Sequence, residues 1–365
     1  LRPTDTVARL GGDEFGILLD DMNDPSDAFL AADRIIEILC EPAYLDGREV
    51  SIPASIGITL DAHGADADTL LRNADVAMYT AKRRGKGRYQ VFESSMHTAM
   101  VERLEMTAHL TKAVERQEFS LHYQPIVSLQ SGAIVGVEAL VRWDHPQRGL
   151  LSPADFIPLA EETGLIVRIG GWVLHEACRQ AVALQQKFPQ DPPISMSVNI
   201  SARQLQHQGL IDEVRIALRS SGLDPGDLII EITETAMMQD TEMAIIRLNQ
   251  LKDLGVRLAI DDFGTGYSSL NYLRRFPVDI LKVDKSFIDE ISDGGEQSAL
   301  TASIIKLAGT LQLTPVAEGI EREDQLVRLL ELHCTLGQGF YFAEPLDVEA
   351  IYQLVEAASV GLPSH

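Results

Sequence analysis

Leu258-Ala259-Ile260-Asp261-Asp262-Phe263-Gly264-Thr265-Gly266 is an apolar run that ends in two adjacent carboxylates and a loop with two glycines. A short apolar run bounded by turn residues belongs to a strand buried inside a sheet. Two carboxylates side by side repel, by about 4 kcal/mol at about 4 Å and an effective dielectric near 20. Such a pair persists when it is solvated, shares a proton or holds a cation.

The same arrangement recurs on both sides of this stretch. Ile134 to Val137 leads into Glu138, Met196-Ser197-Val198 into Asn199, and Leu228-Ile229-Ile230 into Glu231. Ile280-Leu281 leads into Lys282 with Asp284 two residues on, Pro315-Val316-Ala317 into Glu318, and Leu336-Gly337 into Gln338. From Asn199 onward these ends lie roughly 20 to 36 residues apart, room for one strand and one helix each, which is the pattern of a parallel α/β fold. In a (β/α)8 barrel the C-terminal strand ends converge on one face, where catalytic groups collect. A single strand-end acid is ordinarily a solvated one. Six acids with an asparagine and a lysine at equivalent places favour the cation, and oxygen donors select hard ions such as Mg²⁺ or Mn²⁺. No ligand-spaced cysteine or histidine cluster points to zinc.

Composition narrows the partners. The 365 residues suffice for a barrel and a smaller domain, and 45% hydrophobic with 23% charged residues is ordinary globular material. A net charge of −23, from 54 acidic against 31 basic residues, argues against polymeric nucleic acid. A small phosphate ligand stays open, because bound divalent ions reverse the local sign. Cys40, Cys178 and Cys334 are scattered, so reduced, buried thiols in a cytosolic compartment are expected. No apolar run reaches the ~18 residues of a membrane span and no signal peptide is evident. A soluble, cytoplasmic chain without membrane contact is the expectation.

Glu138-Ala139-Leu140-Val141-Arg142-Trp143 resembles the signature of the EAL family of cyclic di-GMP phosphodiesterases. The resemblance extends to Tyr123-Gln124-Pro125-Ile126, Ser197 to Ser201, Glu231 to Glu234, Asp261 to Gly266, Lys282-Val283-Asp284, Glu318 to Glu321 and Gln338-Gly339-Phe340. It implies a modified TIM barrel whose first strand runs antiparallel to the others. It also implies hydrolysis of cyclic di-GMP to linear pGpG with two Mg²⁺ or Mn²⁺ ions, and a homodimer formed through this domain. By the same resemblance Glu138, Asn199, Glu231 and Asp261 are ligands of one metal. Asp261 bridges to a second, with Asp262, Asp284 and Glu318 around it. Lys282 holds or helps deprotonate the attacking water, and either Lys282 or Glu318 is the general base. Gln338 supports that water, Arg142 clamps a phosphate and Gln124 contacts a guanine. Glu234 corresponds to the residue that steadies the loop from Asp262 to Ser268. Glu344 stands where many relatives carry a basic residue, with a peripheral effect expected.

Upstream, apolar strands flank Gly11-Gly12-Asp13-Glu14, the pattern of a β-hairpin that turns at its glycines. This segment, with Ser55 to Ile58, Asn73 to Lys82 and Gly85 to Tyr89, resembles the GGDEF diguanylate cyclase family. Gly11, Gly12, Asp13 and Glu14 then correspond to a metal–GTP site, and Arg2 and Asp5 fall where the family has its RxxD inhibitory site. That family's domain has roughly another half upstream, including a metal-binding aspartate, so this chain alone is expected to make no cyclic dinucleotide. Regulation of the second domain by GTP is a further reading. Met96, Met100, Leu104, Ala108 and Val114 suggest one or two amphipathic helices between the domains. The expected division is 1–93 for the C-terminal part of a GGDEF domain, 94–104 for a linker helix and 105–360 for the EAL domain. Two other readings stand beside hydrolysis. Asp262-Phe263-Gly264 also occurs in protein kinases, but neither a Gly-rich loop with a partner lysine nor an HRD loop accompanies it. The other is a receptor that binds cyclic di-GMP without cutting it; intact ligand positions and Lys282 favour the enzyme.

Overall fold

The computed structural model describes residues 1–20, 22, 24–45, 48–50, 52–60, 64–264, 273–291 and 295–359. The loop residues Thr265 to Ser268 and the expected domain end at 360 lie outside them. The chain divides into two units, Leu1–Ala108 and His109–His365.

In the first unit β1 (Thr6–Gly11) and β2 (Glu14–Leu18) form the expected antiparallel hairpin, with Gly11 paired to Glu14. Gly12 takes φ +54° at the turn, which a side chain would resist. Strands β3 (Ala43–Leu45) and β4 (Arg48–Val50) pair antiparallel, and β5 (Ser55–Ile58) pairs parallel with β6 (Arg88–Val91). The helix Ala67–Arg83 makes the β5–β6 crossover. It lies so close to β5 that a Cβ on Gly57 would come 1.9 Å from the Ala74 carbonyl oxygen. The segment after β6 is one helix, Ser94–Arg116. Its buried residues are Met106, Leu110 and Ala113, while Leu104 and Ala108 are exposed. The apolar stripe expected through Leu104 and Ala108 therefore does not hold. Spacing of three and four residues keeps a stripe on one face, whereas a strict step of four drifts around the helix.

The second unit contains β7 (Phe119–Ser128), β8 (Ile134–His145), β9 (Gly149–Leu151), β10 (Ser195–Asn199), β11 (Leu228–Thr233), β12 (Arg257–Phe263), β13 (Ile280–Val283), β14 (Thr314–Ala317) and β15 (Leu336–Gly337). The order runs β10 to β15, then β7, β8 and β9, and β8 also pairs with β10, so eight strands close into a barrel with β9 as an added strand. Strands β8 and β10 to β15 are parallel neighbours, while β7 runs antiparallel to both β8 and β15. This is the modified barrel with one antiparallel strand that the family resemblance implies. Helices such as Ile166–Lys187 and Leu210–Ser221 bury Val173, Leu174, Val214 and Leu218. Ile126, Ile229, Ala259, Ile280 and Val316 meet inside the barrel, below the strand ends that carry the polar residues. Cys178 and Cys334 are buried as expected, but Cys40, the last residue of the helix Ser26–Cys40, is exposed.

Candidate active site

The strand register brings the predicted acids to one mouth. Asn199 of β10 is level with Glu231 of β11, and Ser197 with Glu138 of β8. Glu318 and Gln338 directly follow β14 and β15, where Ala317 pairs with Gly337. Asp261 and Asp262 are neighbours on β12, and regular pleating would send them to opposite faces. The β12–β13 register shifts between Ile260 and Phe263, and Asp262 takes φ +52°. This bulge re-aims one side chain, and it brings oxygens of Asp261, Asp262 and Glu318 within 4.8 Å of one another. An aspartate in the left-handed region is uncommon and costly, and such conformations cluster at functional sites.

Lys282 lies at the centre, 1% exposed. Its Nζ stands 3.3 Å from Glu138 Oε2, 2.5 Å from Glu231 Oε2, 3.0 Å from Asp261 Oδ1 and 2.7 Å from Glu318 Oε1. Two amides complete the network. Gln338 Nε2 donates to Glu138 Oε2 at 2.7 Å and to Glu318 Oε1 at 3.0 Å, and Asn199 Nδ2 donates to Glu138 Oε1 at 2.6 Å.

These surroundings split the acids. Burial pushes Glu138 up, but Lys282 and the two amides outweigh it and hold the carboxyl below its usual range. Burial and then the Glu138 charge push Glu231 up to about 8, Lys282 offsetting only part of it. Burial drives Glu318 well above the carboxylate range. Asp262 rises to about 6 through burial and its neighbours Asp261 and Asp284. Burial alone would lower Lys282, yet Asp261, Glu138, Glu231 and Glu318 raise it well above its ordinary value. One ammonium cannot neutralise this many carboxylates, and protons fill part of the deficit. Asp261 Oδ1 is buried and has the Lys282 ammonium 3.0 Å away. Oxygens of Asp261, Asp262 and Glu318 gathered within 4.8 Å of one another, with one ammonium shared among four carboxylates, fit a hard divalent cation.

The other predicted residues surround this centre. Gln124 on β7 sits directly across from Glu138, buried, with Nε2 donating to the Ala343 carbonyl at 3.2 Å. Arg142 shares the strand face of Glu138, four residues farther along β8, on the order of 13 Å away. Its guanidinium donates to the Val141 carbonyl at 2.9 Å; burial lowers its pKa and Glu138 raises it. Asp284 lies outside the three-oxygen group and caps the helix Lys285–Asp289, accepting from Ser286 N at 3.0 Å and Ser286 Oγ at 2.5 Å. Glu234 is buried, and its Oε2 accepts from Gly264 N at 3.1 Å. Gly264 needs to be glycine: φ is +102° and a Cβ would come 2.6 Å from the Phe287 ring. In the first unit Asp13 and Glu14 are exposed at the hairpin tip, and the Arg9 guanidinium donates to the Gly12 carbonyl at 2.7 Å. Arg2 and Asp5 close a turn, with Arg2 N donating to Asp5 Oδ2 at 2.5 Å.

Sequence reasoning missed the bulge at Asp262 and the Ala343 carbonyl that anchors Gln124. A pairing shift leaves no period to read, and a backbone acceptor leaves no residue signature.

The sequence profile of the EAL domain matches residues 107–345. The chain belongs to the EAL domain family. Its EAL domain is preceded by a match to the diguanylate cyclase GGDEF domain over residues 1–88. The chain is 46% identical over 352 residues to the bifunctional diguanylate cyclase/cyclic di-GMP phosphodiesterase MucR of Pseudomonas aeruginosa, covering 96% of this chain and 51% of MucR. It is 41% identical over 358 residues to the cyclic di-GMP phosphodiesterase NbdA of the same species, covering 98% of this chain and 45% of NbdA. The chain thus spans about half the length of these curated relatives. A solved structure described as the PaMucR phosphodiesterase in complex with c-di-GMP superposes with TM-score 0.65 at 46% identity, covering 68% of this chain and 99% of that one. The EAL enzyme Bd1971, bound to cAMP and cyclic di-GMP, gives TM-score 0.68 at 31% identity, covering 80% of this chain and 77% of that one. Among the described residues no helix is long and apolar enough to cross a membrane.

Proposed function

We propose that the barrel is a cyclic di-GMP phosphodiesterase that opens one of two equivalent linkages to give linear pGpG. The observation that carries this reading is the Lys282 ammonium set among carboxylates from β8, β11 and β12 and the acid that follows β14. The relatives named for this activity support the substrate.

Glu138, Asn199, Glu231 and Asp261 would hold one Mg²⁺ or Mn²⁺; Asp261, Asp262 and Glu318, with Asp284 beside them, would hold a second. Two such ions, when bound, neutralise phosphate charge and lower the pKa of a shared water. Lys282 orients that water and favours its hydroxide form by its own charge. Glu318, ionised once a bound cation has displaced its proton and held by Gln338 and Lys282, would take the proton as the water oxygen bonds to phosphorus and a P–O bond to ribose breaks. Gln338 keeps Glu138 and Glu318 in register by donating to both. Arg142 clamps a phosphate and Gln124 contacts a guanine. Glu234 fixes the entrance of the loop after Phe263 through Gly264.

The GGDEF part regulates the barrel, with GTP held near Gly11 to Glu14 in the full-length protein and Arg2 and Asp5 as an inhibitory contact. We place the division of the two domains in the helix Ser94–Arg116, assign a homodimer through the EAL domain, and assign a cytoplasmic location, which the buried thiols of Cys178 and Cys334 fit. The test is incubation of this chain with cyclic di-GMP and Mn²⁺, read by chromatography. The wild type forms pGpG and Glu138→Ala does not. Binding without product replaces hydrolysis by the receptor reading.

A further inference from the structure

Two imidazoles meet where the helix Ser94–Arg116 passes the end of β8. His109 Nδ1 lies 2.8 Å from His145 Nε2, with the ring centres 4.9 Å apart. His109 is half-buried, next to the buried Leu110 and one turn from the buried Met106 and Ala113. His145, 3% exposed, is the last residue of β8 and has the Trp143 indole edge-on at 4.9 Å. The boundary between the two units falls between Ala108 and His109, so the helix belongs to both.

The hydrogen bonds fix which ring nitrogens carry protons. His145 Nδ1 accepts from the backbone N–H of Gln147 at 3.1 Å and of Arg148 at 3.2 Å, in the turn before β9. A ring nitrogen that accepts is unprotonated, so the His145 proton is on Nε2. That N–H donates to His109 Nδ1, which leaves the His109 proton on its own Nε2. Donation therefore runs one way, from the turn through His145 to His109, and both rings are neutral. A further proton on either accepting nitrogen sets donor against donor. The same order excludes a transition metal between the rings, since the His145 nitrogen that faces His109 has no free lone pair.

The surroundings favour the neutral pair. Burial, then His109 and Arg148, lower the pKa of His145, and Glu118 offsets only part of this. On the helix itself Glu105 and Lys112, one turn to either side of His109, are exposed and of opposite sign. We infer that the pair is a proton-operated clasp. Neutral, it ties the helix that both units share to the strand that carries Glu138 and Arg142; protonated, it lets that part of the helix go. The end of the helix stays tied through Glu118, whose carbonyl accepts from Asp144 N at 2.8 Å and whose Oε2 accepts from Trp143 Nε1 at 3.1 Å. Release is therefore confined to the turns around His109. A histidine lowered on folding binds fewer protons folded than unfolded. Its share of stability is whole above the ~6.5 of an unfolded histidine and is lost as pH falls towards the folded value. Glu231 and Asp262 act with the opposite sign over part of that range, so the clasp shows in local opening rather than in global stability.

The test follows ring protons and helix amides in the full chain. Long-range ¹⁵N–¹H NMR at pH 7.5 should find both histidines neutral with their protons on Nε2. Between pH 7.5 and 5.5, hydrogen exchange across residues 106–113, corrected for the intrinsic rate, should quicken about five- to tenfold, the worth of one hydrogen bond. His145→Asn keeps an oxygen acceptor for the turn N–H groups but does not reach His109, and His109→Leu removes the other half. Each should exchange at the faster rate at both pH values, and because they cut the pair from opposite sides, misfolding of one leaves the other. A His145 proton on Nδ1 at pH 7.5, no quickening in the wild type, a wild-type-sized step in either variant, or an equal step in β10 to β14 overturns the proposal. Neither readout involves turnover, so the outcome is independent of the phosphodiesterase assignment.

Discussion

At the β1–β2 tip Asp13 and Glu14 stand in solvent beside two glycines, whereas at the barrel mouth Glu138, Glu231 and Asp261 are almost out of water. The residue types match and their circumstances do not. Water solvates the hairpin acids, so they impose no demand on their neighbours. The mouth acids are supported by one shared lysine, two amides and a backbone bulge, and their protonation is split as a result. An acidic motif becomes chemically informative when the fold takes away its water.

The largest expected effects lie at the mouth. Glu138→Ala should lower kcat for cyclic di-GMP by a thousandfold or more, on the order of 4 kcal/mol in the barrier, since Asn199, Gln338 and Lys282 all converge on that carboxylate. Lys282→Ala removes the ammonium that four carboxylates share. It should destabilise the cation-free chain by about 3–5 kcal/mol, read by urea denaturation in a chelator, with a divalent ion recovering part of the loss.

A second experiment sharpens the comparison through pH. Glu231 and Asp262 are raised to about 8 and about 6, above the ~4 of unfolded carboxyls. Without divalent ions the folded state therefore binds more protons than the unfolded between about pH 4 and 8, and stability falls as pH rises through that window. Glu138, held low, contributes with the opposite sign, its stabilisation being lost only as pH falls below the ordinary carboxylate range. Added Mg²⁺ or Mn²⁺ should raise Tm more at pH 8 than at pH 5.5, and an equal shift at both would count against cation binding by these acids.

Smaller effects follow from the supports. Glu234→Ala leaves Gly264 N without its acceptor and should lower kcat about tenfold, near 1.4 kcal/mol, with Glu234→Gln recovering most of it. At the exposed tip Glu14→Gln should change stability by less than about 0.5 kcal/mol and leave the hydrolysis rate of this chain unchanged. A large effect there would erase the contrast between the two regions.

Much of this site is legible in the sequence because barrel strands impose a simple rule: an apolar run followed by a polar residue marks a strand end. Asn199 closes β10, Glu318 and Gln338 follow β14 and β15, and Glu231, Asp261 and Lys282 lie one or two residues inside their strand ends; Glu138 departs from it, because β8 continues to His145. Roles finer than position came from family resemblance. The rest depends on three-dimensional detail that leaves no local period. The left-handed backbone at Asp262 arises from a pairing shift with β13, and the Glu234–Gly264 bond joins residues thirty apart. The helix Ser94–Arg116 was readable as a helix, but which residues it buries depends on what packs on it.

The most direct test of the central claim, that the acids are gathered at the mouth to hold divalent cations, is calorimetric titration of the chain with Mn²⁺ in two buffers of different ionisation enthalpy near pH 7. Saturable binding with proton release, lost in Asp261→Asn, is the predicted result, because Glu231 and Glu318 hold protons that a cation displaces. Absence of binding, or binding unchanged in Asp261→Asn and without proton release, would contradict it.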